Sequence, residues 1–400
     1  MEELQTLAAS AGASVAEAIL QARAAPDAAT LIGSGKLAEL GDKVRFQDAD
    51  LVLFDAELTP TQQRNLESAL DCKVIDRTQL ILDIFARRAR TSEGQLQVEL
   101  AQLNYLLPRL SGHGAAMSRL GGGIGTRGPG ETKLETDRRR IYRRIRKLEG
   151  DLDTVRAGRG IQRKQRQSVP LATIALVGYT NAGKSTLFNR LTSAAVLADA
   201  KMFATLDPTV RHITLPSHRR VLVSDTVGFI RNLPTTLMKA FRATLEEVTE
   251  ASLLLHVVDV SSPHTEQYIG EVLGVLHDIG AAEKTQILVL NKADLLPEAT
   301  ADAAAAGQRL HGAKGAAQTV AVSARTGAGM DALLGLIDGA LDLDPVTHVR
   351  LRVPAADGAL IHRIHEHGRV ASARYAGDTC EIEADVPESL RRSLEPFLAT

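Results

Sequence analysis

The feature that most constrains this chain is Gly178-Tyr179-Thr180-Asn181-Ala182-Gly183-Lys184-Ser185, set directly behind the apolar run 171–177. The order G-x-x-x-x-G-K-[ST] between a strand and a helix specifies one kind of structure. Its glycines let successive backbone N–H groups turn inward around an anion. Lys184 then brings a cation to the outer phosphates of a nucleotide, and Ser185 offers a hydroxyl to Mg²⁺. A helix opening at about Thr186 adds the positive end of its dipole. Strand–loop–helix units of this kind are housed in a parallel sheet with helices on both faces, so the expected fold class is α/β.

Three further strands deliver chemistry at their C-terminal ends. Residues 221–224 run into Asp225-Thr226-Val227-Gly228, with Asp225 expected to hold Mg²⁺ through a water and the Gly228 N–H to meet the γ-phosphate. Residues 287–290 run into Asn291-Lys292-Ala293-Asp294. The Asp294 carboxylate can accept from both the ring N–H and the exocyclic amine of guanine. Adenine offers neither in that geometry, so the motif selects GTP over ATP. Ala321-Val322-Ser323-Ala324 is expected to close the pocket, with backbone N–H groups facing the guanine oxygen. The nucleotide set is therefore Gly178, Asn181, Ala182, Gly183, Lys184, Ser185, Thr186, Asp225, Gly228, Asn291, Lys292, Asp294, Ser323 and Ala324. Thr205, in Phe203-Ala204-Thr205-Leu206-Asp207-Pro208-Thr209, is the candidate threonine that completes Mg²⁺ coordination only when a γ-phosphate is present, with Thr209 as competitor. The expected catalytic group is Lys184, Thr205, Asp225 and Gly228, hydrolysing GTP to GDP and phosphate; Ser185, Thr205 and Asp225 are the expected metal ligands.

Around this unit the chain divides into four expected domains. Residues 1–92 alternate helix-like and strand-like pieces: a strand at 14–21, a turn at Gly33-Ser34-Gly35, a helix at 36–46, a strand at 51–54, a helix from Pro60 to Leu70, a strand at 74–75 and a helix at 78–88. That reads as a small α/β domain. In 93–168, Leu96, Leu100, Leu103, Leu107 and Leu110 form one helical seam, and Leu134, Ile141, Ile145, Leu148, Leu152 and Val155 another. They imply an antiparallel helical hairpin with a glycine-rich tip loop at 111–130 and a basic polar linker from Gly158. Residues 169–344 hold the P-loop unit. Residues 345–400 read as a small α+β domain with a strand at 348–353, a helix over Gly358–His367, a strand pair about Gly377-Asp378 and a helix at 388–398.

Composition narrows the partners. Aromatic residues are 3% and Trp is absent, which argues against binding single strands mainly by base stacking. A formal net charge of −1 leaves no global field for a polyanion, so a nucleic-acid surface must be a local patch. Such a patch is offered by the arginines at 138, 139, 140, 143, 144 and 146, next to a glycine-rich tip. Cys72 and Cys380 imply no disulfide framework or metal site. The acidic start is unlike a signal peptide, and runs such as 253–255 and 287–290 are too short to span a bilayer. The expected location is the cytoplasm.

The motifs together resemble the translation-factor-related class of P-loop GTPases. Gly121-Gly122-Gly123-Ile124-Gly125-Thr126-Arg127-Gly128-Pro129-Gly130-Glu131-Thr132-Lys133-Leu134-Glu135-Thr136-Asp137-Arg138-Arg139-Arg140 closely resembles the signature segment of the HflX family, as do Ile32-Gly33-Ser34-Gly35-Lys36 and 203–209. The resemblance covers nearly the whole chain. It implies a monomeric GTPase that binds the large ribosomal subunit and its rRNA and separates stalled or idle ribosomes into subunits. The runners-up are a large-subunit assembly factor and a GTP switch acting on a protein effector. Ribosome contacts are expected at Arg119, Arg127, Arg138, Arg139, Arg140 and Arg143. Phe229 follows Asp-Thr-Val-Gly where many small GTPases carry a water-orienting glutamine, which implies slow hydrolysis stimulated by a partner. Asn181 resembles the asparagine of potassium-activated relatives and is the candidate K⁺ ligand. Two departures from the family pattern are Lys133, where glutamine is common, and a start at the first helix, where relatives usually have a strand before it.

Overall fold

The structure is a computed structural model that describes residues 2–112, 133–166, 171–192, 202–203, 205–206, 208–231, 242–296, 318–341, 346–387, 390–391 and 394–399. The chain divides into two units. The first comprises Met1–Ile161 with Asp199–Asp207 and Arg231–Ala243; the second comprises Gln162–Ala198, Pro208–Ile230 and Thr244–Thr400.

The first unit begins with α1 (Glu2–Ser10) and α2 (Ser34–Phe46), followed by β1 (Leu51–Phe54), α3 (Pro60–Leu70), β2 (Lys73–Asp76) and α4 (Arg77–Arg88). Strands β1 and β2 are parallel, with Leu51 opposite Lys73 and Phe54 opposite Asp76. Helix α3 starts where it does because Thr59 and Gln62 form a reciprocal capping box and Pro60 fits the first turn. Its Leu66 and Leu70 pack with Phe54, Leu58 and Val74 in one core. The strand expected at 14–21 is absent: these residues are irregular and mostly exposed. Their Ser, Ala and Glu are poor strand formers, and no apolar face recruits them to the β1–β2 pair.

Helices α5 (Ser92–Leu106) and α6 (Lys133–Arg166) follow. Their flanks are joined by a two-pronged ion pair, Arg144 Nε and Nη2 to the Glu99 oxygens, both at 2.6 Å. In α6 the expected seam is buried at Ile145, Leu148 and Leu152, at most 7% exposed, and half-buried at Ile141 and Val155. In α5 it is displaced: Gly94, Gln97, Val98, Ala101 and Tyr105 are buried while Leu96, Leu100 and Leu103 are half-buried. The reason is that α5 also packs on α4, which widens its covered face beyond a two-helix seam. The linker expected from Gly158 is also different, because α6 continues to Arg166. Arg, Gln and Lys there are good helix formers and outweigh two glycines. The base of α5 is pinned by Arg109, which donates to the Leu58 carbonyl and to the fully buried Asp76, at 2.7 and 3.2 Å. Asp76 also caps α4 through the Gln79 N–H. Residues 113–132 of the tip lie outside the described residues.

The second unit holds a six-stranded sheet in the order β4-β5-β3-β6-β7-β8, made of β3 (Thr173–Val177), β4 (Thr209–Thr214), β5 (Arg220–Asp225), β6 (Leu253–Asp259), β7 (Gln286–Asn291) and β8 (Gln318–Ala321). Strand β4 is antiparallel to β5; the other pairings are parallel. Helices α7 (Lys184–Thr192), α8 (Arg242–Glu250), α9 (Thr265–Asp278) and α10 (Met330–Ala340) connect or flank these strands. Residues 253–258 of β6 are all buried, as the central strand of a sheet covered on both faces requires. Leu176, Phe188, Leu255, Val289 and Ile337 share the main core. The end of the chain forms an antiparallel sheet, β10-β11-β9, from β9 (Val346–Pro354), β10 (Arg369–Ala376) and β11 (Thr379–Pro387), with its own core and with α11 (Gly358–His367) contributing Leu360, Ile361 and Ile364. The helix expected at 388–398 ends as a 3-10 turn, Glu395–Phe397.

A guanine-nucleotide site at the strand ends

Register brings the motifs together. Leu176 in β3 lies opposite Asp225, and Asp259 at the end of β6 lies opposite Asn291. Every loop that carries a motif thus leaves the sheet on the same edge, where parallel α/β sheets bind ligands.

Lys184 opens α7 and is 6% exposed. Its ammonium donates to the carbonyls of Gly178 at 3.0 Å and Tyr179 at 2.7 Å, which folds the loop over it. Burial pulls its pKa down to about 8, partly opposed by the charge of Asp225. Ser185 Oγ donates to Asp225 Oδ2 at 2.7 Å. A hydroxyl and a carboxylate this close form the hard-oxygen donor pair that Mg²⁺ takes, so the residues fit that ion, which would neutralise phosphate charge there. Thr205 is buried in the Met202–Leu206 region of the first unit, whereas Ser185 and Asp225 belong to the second. In that first unit Phe203 meets Phe85 edge-on at 4.6 Å, and the Met202 N–H donates to Ser10 Oγ at 3.0 Å. Thr209 opens β4 opposite Asp225.

Asn181 takes the left-handed conformation, φ 62°, which Asn tolerates better than most residues. Gly183, φ 91°, is required on two counts, since a Cβ there would also lie 2.2 Å from Asn291 Nδ2. Asn291 itself is 2% exposed and acts as a strap: Nδ2 donates to the Ala182 carbonyl at 2.9 Å, and Oδ1 accepts from the Ala324 N–H at 3.0 Å. The Ala324 N–H, expected to face guanine, is therefore engaged by Asn291 in this structure. Lys292 is paired with Asp259 at 2.6 Å. Asp294 accepts from Ser323 Oγ at 2.6 Å and pairs with Arg325 at 2.6 Å. The Ser323 bond, with help from Arg325, holds its carboxyl below the usual range, although partial desolvation acts in the opposite sense. Arg325 is 73% exposed, so its pair with Asp294 is weakly held.

Several contributors carry no motif signal. Tyr179 stacks on Tyr268 of α9 with ring centroids 4.0 Å apart, bracing the first turn of the loop. Arg190 of α7 donates to the carbonyls of Ala324 and Arg325. The spacing of G-x-x-x-x-G-K-[ST] leaves Tyr179 unspecified, and nothing local marks Tyr268 or Arg190 as its partners. Of the arginines expected to meet RNA, Arg139, Arg140 and Arg143 are exposed on α6 and Arg138 is half-buried; Arg119 and Arg127 lie outside the described residues. Gly33 caps α2, and Lys36 of its first turn is spent on Glu39, so the Gly-Ser-Gly-Lys segment is a helix start.

A loop closed on a buried lysine at one end of the site, and the Asn291-Lys292-Ala293-Asp294 segment at the other, define the class: this is a P-loop GTPase. Models of three families match along the chain, described as GTP-binding GTPase N-terminal over residues 1–86, GTP-binding GTPase middle region over 88–166, and 50S ribosome-binding GTPase over 173–292. The chain is 46% identical to GTPase HflX of Caldanaerobacter subterraneus, covering 100% of this chain and 90% of that one. It is 44% identical to GTPase HflX of Escherichia coli, over 92% and 84%. A GTP-binding protein from Sulfolobus solfataricus, solved with GDP, aligns with 86% of this chain and 96% of its own at 25% identity and a TM-score of 0.47. The chain belongs to the HflX family of GTPases and hydrolyses GTP. No helix among the described residues is long and apolar enough to cross a membrane.

Proposed function

We propose that this GTPase binds the large ribosomal subunit and splits stalled or idle ribosomes, with GTP hydrolysis releasing the factor afterwards. The observation that carries the reading is the continuous helix α6, which presents Arg139, Arg140 and Arg143 to solvent next to the glycine-rich tip, on a chain whose net charge is only −1. A local basic surface of this kind suits phosphate contacts. Family membership supplies the ribosome as the partner: a matching model is described as a 50S ribosome-binding GTPase. In this reading the chain works as the four domains 1–92, 93–168, 169–344 and 345–400. Splitting needs only the GTP-bound shape, because differential affinity for two states is what shifts an equilibrium. Ser185, Asp225 and Thr205 would hold Mg²⁺, which would neutralise phosphate charge, and Asn181 would take K⁺; equal hydrolysis rates in K⁺ and Na⁺ would remove the potassium assignment.

The test is sedimentation of whole ribosomes with the protein and a non-hydrolysable GTP analogue, with GDP as control. Subunits released only with the analogue, and protein travelling with the large subunit, is the expected result. Intact ribosomes, with protein only on free large subunits or their precursors, would overturn splitting and leave an assembly role.

A further inference from the structure

Phe229 occupies the position from which a side chain would orient water, and it is shut away from that task. It is 4% exposed, and its backbone is zipped to the phosphate loop on both sides: its N–H donates to the Gly178 carbonyl at 3.0 Å and its carbonyl accepts from the Thr180 N–H at 2.8 Å. An apolar ring fixed in this way cannot hydrogen-bond a nucleophile. Thr180 itself carries the unused polar group. It is 7% exposed, and its hydroxyl oxygen is fully buried with no hydrogen-bond partner among the described residues.

A buried hydroxyl without a partner costs about 1–3 kcal/mol, and a valine of the same shape would avoid that cost. Packing therefore does not account for threonine here. Position suggests what does. A Cβ added to Gly228 would lie 2.9 Å from Lys184 Nζ, 2.9 Å from Thr180 Cα and 2.9 Å from Thr180 Cγ2. Thr180 Cα and its methyl Cγ2, the Lys184 ammonium and Gly228 thus converge on one corner, at the end of the loop where lysine and glycine N–H meet a terminal phosphate, and the buried hydroxyl stands on the same Cβ as that methyl.

We infer that the Thr180 hydroxyl positions the attacking water for GTP hydrolysis, in the place left empty by the apolar Phe229. Turned about the Cα–Cβ bond so that hydroxyl and methyl exchange places, Thr180 Oγ1 accepts a hydrogen bond from the water and aims its oxygen at the γ-phosphorus. As that P–O bond forms, the bond from phosphorus to the β,γ-bridging oxygen breaks and its electron pair stays on GDP. Both water protons leave with the transferred phosphate, and the threonine keeps its own proton throughout.

The experiment is single-turnover hydrolysis of radiolabelled GTP by the full chain without ribosomes, alongside affinities for fluorescent GDP and for a slowly hydrolysed GTP analogue. Thr180→Val is expected to slow hydrolysis of bound GTP about 10- to 100-fold, the scale of one oriented hydrogen bond, with both affinities unchanged. Thr180→Ser restores the hydroxyl and is expected to stay within about threefold of the parent. A parental rate in Thr180→Val would overturn the inference. So would equal losses in Val and Ser, which would mark a packing role, or a loss confined to analogue affinity, which would mark a phosphate contact. If Thr180→Val does not bind nucleotide, the series Thr180→Ser, Thr180→Cys and Thr180→Ala serves instead. Rates must then fall in that order at constant GDP affinity, and any other order overturns the assignment.

Discussion

Replacing Asn291 with alanine removes a side chain that holds three loops together without touching the phosphates. Two groups lose their partners at once: the Ala182 carbonyl, from Nδ2 at 2.9 Å, and the Ala324 N–H, from Oδ1 at 3.0 Å. Ala182 and Ala324 are 2% and 5% exposed, so water does not readily replace the lost bonds. At about 1–3 kcal/mol for each, the two stranded groups cost about 2–6 kcal/mol, and relaxation of the loops brings this to the lower half, about 3 kcal/mol. For a domain of this size, that corresponds to a fall of about 6–12 °C in melting temperature. Calorimetry of the nucleotide-free full chain would measure it, taking the GTPase transition as the one that GDP raises. Asn291→Asp provides the control. It keeps an acceptor for Ala324 but sets a carboxylate against the Ala182 carbonyl, so its destabilisation should ease as pH falls and the acid regains a proton to donate. A shift under about 3 °C in the alanine variant would refute the strap reasoning.

Other outcomes follow from the same geometry. Lys184 has its pKa lowered to about 8 by burial, and phosphates will raise it. Nucleotide binding should therefore take up a proton above about pH 8, with affinity falling as pH rises through that value and level below about pH 7; calorimetric titration at about pH 8.5 in two buffers of different ionisation heat detects this, and absence of uptake contradicts it. Asp294→Asn replaces one of two acceptors with a donor, so GTP affinity should fall about 100-fold while XTP, with an oxygen in place of the exocyclic amine, gains; competition binding compares the two. Arg109→Ala leaves Asp76 buried at 0% exposure without its cation, and should destabilise the first unit by about 3–5 kcal/mol in denaturant melts followed by hydrogen exchange of α3 and α4 amides.

What the sequence determined by itself is local. The order and spacing of Gly183, Lys184, Ser185, Asp225, Asn291 and Asp294 declared a guanine-nucleotide site, because each residue leaves its own strand at a fixed offset and strand direction alone sets where it points. Pro60 fixed the start of α3, and the run at 287–290 identified a buried parallel strand, for similarly local reasons. Tertiary structure decided what depends on partners distant in sequence. The irregular course of 14–21, the shift of the buried face of α5 toward Val98 and Tyr105, and the stacking of Tyr179 on Tyr268 are set by which surfaces meet, and no window of residues contains that information. The same holds for Thr180. Its place in the loop was legible from the start, but the burial of its hydroxyl without a partner is a property that only the folded chain brings about.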